Sequence, residues 1–100
     1  MIKLVEVCEL LHASSNKKQK YTLREIYVNP KHVVSLREDT AFKNKLTEGT
    51  LPNELDTRQE FTRMILDKGQ VGMELIVVGT PYIIETKLNG EKIKSVLKGW

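Results

Sequence analysis

The fold turns on how Phe61 to Val78, FTRMILDKGQVGMELIVV, is read. Two readings compete for its first part. Asp56 with Gln59 resembles a capping box, Phe61 and Ile65 have helical spacing, and Gly69 can end a helix. Against this, FTRMIL mixes β-branched and aromatic residues, and DKGQVG then makes a turn before MELIVV. The balance favours a hairpin, with Phe61–Leu66 paired to Met73–Val78. Met73–Val78 is the plainest strand in the chain and is expected to be central. The glycines of GQVG, Gly69 to Gly72, are not followed by the GK[ST] of a phosphate-binding loop, so a turn accounts for them.

Upstream, Ile2–Leu11 is rich in Val, Leu and Ile and reads as a strand. The polar run HASSNKKQK comes next. It gives a mobile basic loop over 12–20 and then a strand over Tyr21–Val28. The next four residues, Asn29-Pro30-Lys31-His32, form a corner: proline fixes its own φ and pushes Asn29 toward an extended conformation. Val33–Arg37 resumes β composition. Residues 38–56 hold Gly49, Pro52 and few large apolar side chains, and are expected to be a long insertion loop. Downstream, Thr80 suits an N-cap and Pro81 a first helical position. A short helix over Pro81–Leu88 is expected, with Asn89-Gly90 as its stop. The rival is a second hairpin around Asn89-Gly90. Ile93, Val96 and Leu97 are candidates to dock the tail.

Together these elements predict one α+β, mostly β domain over 1–100. About five strands would form a bent antiparallel sheet or barrel, with one short C-terminal helix. The run EIYVNPKHVVSL, a variable middle, and ELIVVGTPYIIETKL resemble the small flagellar and swarming-motility proteins of the FlbD type, and similar short phage-encoded β proteins. The resemblance implies strand, Asn-containing corner, further strands, then a Val-rich strand leading into a helix. It brings no catalytic residue. The 38–56 stretch and the basic tail depart from it.

Hydrophobic residues make up 40% and charged residues 29% of the chain, values of a globular domain rather than a disordered one. No apolar run reaches the ~20 residues of a membrane span. The N-terminal MIKLVEVCELL is too short and too acidic for a signal peptide, so a cytoplasmic setting is expected. The net charge of +3 permits phosphate binding without requiring it. Cys8 stands alone in a strand pattern and reads as a small hydrophobe. His12 and His32 lie on different segments without zinc-ligand spacing. The carboxylate pairs Glu38-Asp39 and Glu54/Asp56 fall in a stretch expected to be exposed, where acid–base work has no desolvated group. Neither an enzyme nor a cofactor is expected.

Binding fits better. Cations interleaved with aromatics suit phosphate neutralisation with base stacking. The candidate ligand residues are Lys17, Lys18, Lys20, Tyr27, Lys31, His32 and Arg37, with Tyr21 and Arg24 nearby. Each also has a plainer reading, as a solvated strand face or edge-strand core. The expected ligand is a nucleotide or single-stranded nucleic acid, held by a homo-oligomer with His32 and Arg37 at a subunit boundary. The alternative is a protein-interaction module, such as a phage-type inhibitor of a host protein, with Trp100 anchoring at an interface.

Overall fold

The computed structural model describes residues 1–10, 18–68 and 71–98. Five strands form one antiparallel sheet: β1 (Ile2–Glu9), β2 (Tyr21–Val28), β3 (Val33–Glu38), β4 (Phe61–Lys68) and β5 (Val71–Val78). Their spatial order is β2-β1-β5-β4-β3. A 3-10 turn, Pro30–His32, separates β2 from β3, and two helices, α1 (Thr40–Glu48) and α2 (Pro81–Lys98), complete the fold. The mostly β, α+β expectation is met. The hairpin reading of 61–78 is met down to register, with Phe61 opposite Val78 and Leu66 opposite Met73.

β2 and β3 are the two edges of this sheet, yet only Asn29–His32 connect them. A flat five-stranded sheet would hold its edges about 19 Å apart, four spacings of about 4.8 Å. Three of the four connecting residues sit in a 3-10 turn that rises only about 2 Å per residue. The corner cannot span a flat sheet, so the sheet curls until its edges approach. Packing agrees: Ile26 and Val28 of β2 and Val33 and Leu36 of β3 join one core with Leu4, Met64, Leu75 and Val77. Ile84 and Leu88 of α2 fill that inner face. β2 and β3 do not pair with each other, so the sheet is bent and open rather than a closed barrel.

A second core lies on the other face, at the end opposite the corner. Val7, Leu51 and Phe61 are buried there, backed by Tyr21, Leu23, Phe42, Leu46, Ile76 and Val78. α1 supplies Phe42 and Leu46. This helix corrects the loop expected over 38–56. Asp39 is its N-cap, accepting from the Phe42 N–H at 3.0 Å, and Gly49 ends it in the left-handed conformation at φ 83°. Phe42 and Leu46, one turn apart, give it a single apolar face.

The C-terminal helix also differs from expectation. Thr80 caps it as read, accepting from the Ile83 N–H at 3.2 Å, and Pro81 is its first residue. It then runs through Asn89-Gly90 to Lys98 instead of stopping after Leu88. Glycine ends a helix by adopting positive φ, and among the described residues only Gly49 and Gly79 do so. The docking expected of Ile93, Val96 and Leu97 lies outside the described side chains.

Candidate functional site

The corner is built by its own sequence. The Asn29 carboxamide oxygen accepts from the Lys31 N–H at 3.0 Å, and the Asn29 carbonyl accepts from the His32 N–H at 3.0 Å. Pro30 supplies the fixed φ at the first position of the turn. Beside this turn a cleft of about 290 Å³ opens at the mouth of the curled sheet. Its lining comes in two halves. The start of β1 lies beside the end of β2, the end of β4 lies beside the start of β5, and the Asn29–His32 corner, with Val33 paired to Leu66, brings the halves together. They bring Met1, Tyr27, Leu66, Asp67 and Met73 beside Asn29 and His32.

The floor is apolar. The polar groups stand at the rim, and they are not used up by the fold. Among the described residues no hydrogen bond or ion pair engages the Tyr27 hydroxyl, the His32 ring or the Asp67 carboxylate. The same holds for the Asn29 amide nitrogen, since its carboxamide oxygen alone serves the turn. Tyr27 is 62% exposed. The site thus combines a bare aromatic face, an imidazole, an amide donor and a carboxylate acceptor.

Of the residues expected to bind a ligand, Tyr27 and His32 meet here, with Lys31 on the same turn. The others lie elsewhere. Lys18 and Lys20 precede the start of β2, and Lys20 lies about 23 Å from Tyr27 at the rise of a strand. The Lys18 ammonium lies against Gly49, at the C-terminus of α1, where the helix dipole favours a cation. Lys20 is held by its backbone, donating to the Thr50 carbonyl at 2.8 Å. Arg37 stands opposite Arg63 near the end of β3, about 16 Å along the strand from His32. His32 and Arg37 therefore do not share a pocket within the chain. Lys17, Trp100 and most of the 12–20 loop lie outside the described residues.

Tyr21 and Arg24 have structural partners. Lys45 Nζ donates to the Tyr21 hydroxyl at 2.7 Å, and Tyr21 meets Phe42 edge-on with centroids 5.1 Å apart. That hydrogen bond raises the Lys45 pKa above its ordinary value, against the smaller opposing effect of burial. Arg24 reaches Glu6 at 3.8 Å. Cys8 is half-buried, and its thiol donates to Glu6 Oε1 at 3.3 Å. Burial first, and the Glu6 carboxylate second, push the thiol pKa up, so the reactive thiolate is disfavoured.

Sequence reasoning missed Asn29 and Asp67 as site residues. Asn29 was legible only as a turn former. Asp67 carries no motif, but the β3–β4 register offered a signal. Once Val33 pairs with Leu66, the Asn29–His32 corner brings Asp67 close to the end of β2.

These features define a class: a small curled antiparallel sheet with one helix across its inner face and a polar-rimmed cleft at one open end. Comparisons with protein-family models, with curated proteins and with solved structures each returned no match. No helix among the described residues is long and apolar enough to cross a membrane.

Proposed function

We propose that this chain is a non-catalytic binding module that takes a small anionic nucleotide at the corner cleft. The observation that carries this reading is the convergence of Tyr27, Asn29, His32 and Asp67 on one cleft of about 290 Å³, all with unengaged side-chain groups. That volume lies at the lower edge of small-ligand pockets and suits a planar base with its sugar and phosphate left outside. Tyr27 offers a stacking face. Lys31 and His32, on the adjoining turn, offer donors to a phosphate.

A single-stranded polymer is the less supported ligand. It needs a continuous track of cations. Lys18 and Lys20 are at the opposite end, and Arg63 is already engaged by Asp39 at 3.0 Å and Glu74 at 3.3 Å. Homo-oligomerisation belongs to the same proposal. β2 and β3 keep free edges, and Val34 on β3 is 63% exposed.

A second reading, a protein-interaction module such as an inhibitor of a host protein, draws on a different observation. Met1, Tyr27 and Met73 are all exposed around the same cleft, an apolar cluster of the kind that anchors interfaces. A thermal-shift screen against mono-, di- and cyclic nucleotides and single-stranded oligonucleotides, at low and high salt, separates the readings. A saturable shift with a small nucleotide, lost in Tyr27→Ala and His32→Ala, supports the first. A shift with polymers alone, erased by salt, or no shift at all, rejects it.

A further inference from the structure

Resting on that reading, we infer that the corner cleft selects guanine among the bases. The rim offers hydrogen-bonding groups of two kinds. Asp67 is a carboxylate, and an ionised carboxylate can only accept. It is exposed and unpaired among the described residues, so both its oxygens are available. Asn29 has its oxygen committed to the Lys31 N–H, which leaves its amide nitrogen as a donor. Both residues line the same cleft as Tyr27.

The Watson–Crick edge of guanine is complementary to this set. It presents two adjacent donors, N1–H and the N2 amino group, which a carboxylate accepts in parallel, and beside them O6, an acceptor for the Asn29 amide. The other bases do not match. Adenine turns the N1 acceptor toward the carboxylate, cytosine turns N3, and uracil flanks its one N–H with two carbonyl oxygens. Each of these sets lone pair against lone pair, so the carboxylate rejects them as well as rewarding guanine. The phosphate is directed away from Asp67, toward Lys31 and the His32 ring on the turn. The occupant is therefore a small guanine nucleotide.

Isothermal titration of the full chain with GMP, IMP and AMP tests the assignment. IMP keeps N1–H and O6 but lacks the N2 amine. GMP is expected to bind roughly tenfold or more tighter than AMP, the discrimination of a good bidentate base contact, with IMP between them. Asp67→Asn should abolish the preference for GMP over AMP. Asn29→Asp keeps the oxygen that caps the turn, loses the amide donor, and should weaken GMP. Equal binding of GMP and AMP by the wild-type chain, or a preference that survives Asp67→Asn, overturns the guanine assignment and leaves the nucleotide reading standing. Binding of none of the three mononucleotides rejects guanine selection together with mononucleotide binding at the cleft.

Discussion

At one end of the sheet Phe61 is fully buried under α1, Leu51 and Val7 close over it, and Asp39 joins the helix cap to Arg63. At the other end Met1, Tyr27 and Met73 remain exposed around a cleft, and the His32 ring and the Asp67 carboxylate stand without hydrogen-bond or ion-pair partners among the described residues. The same five strands supply both ends. The difference lies in the connections that cover them. β3 runs into the capped helix α1, which packs over Phe61, while β2 passes to β3 at the corner through a 3-10 turn. Side chains that serve stability cluster where the polar groups are consumed. Groups kept available for a ligand cluster where they are not.

Cutting into each end should expose that division. Phe61→Ala should cost about 3–5 kcal/mol in urea unfolding, the range for truncating a buried aromatic. Tyr27→Ala, at the corner, should stay within about 0.5 kcal/mol of the parent. A comparable loss at Tyr27 would make the corner end structural and dissolve the contrast. Asp39→Ala should come next. It removes the α1 cap and leaves Arg63 with Glu74 as its partner, and about 1–2 kcal/mol is expected for the cap alone.

The strands were legible because β-branched residues fill them and turn residues bound them. Tyr21–Val28 has the ends its composition marks. α1 was hidden for a physical reason. The residues TAFKNKLTE hold only Phe42 and Leu46 as large apolar anchors, and helix formation there depends on packing against Tyr21 and Phe61 from distant strands. Gly49, read as part of a loop, is its stop, and Asp39, read as an exposed carboxylate, is its buried cap. In α2 the error ran the other way. Asn89-Gly90 carries a genuine stop signal, but a helix interior tolerates glycine at a cost of about 1 kcal/mol. At the site, Tyr27 and His32 could be named from their neighbours in sequence. Asp67 arrives from a strand 35 positions beyond His32, and the β3–β4 pairing, with Val33 opposite Leu66, brings it there.

Two smaller effects lie outside both ends and set the scale for them. A Cβ on Gly90 would meet nothing within 4 Å, so Gly90→Ala should stabilise the chain by about 0.5–1 kcal/mol. Destabilisation would mean that the helix stops there after all. Asp56→Asn probes an exposed pair. The Arg58 side chain, and then its backbone N–H, hold the Asp56 carboxyl below the usual carboxylate range. A depressed folded pKa gives stability that is present above the unfolded value and is lost as pH falls through the folded one. The wild type should therefore melt slightly above Asp56→Asn at neutral pH, and the gap should close below about pH 4. A gap independent of pH would mean that this pair contributes nothing.

The division between the two ends is open to a two-dimensional amide NMR titration of the labelled chain with GMP. Saturable shifts should be confined to the corner end, at Tyr27, Asn29, His32 and Asp67, with Lys20, Thr50 and Phe61 unmoved. Shifts centred on Lys20 and Thr50, or none anywhere, would refute the division.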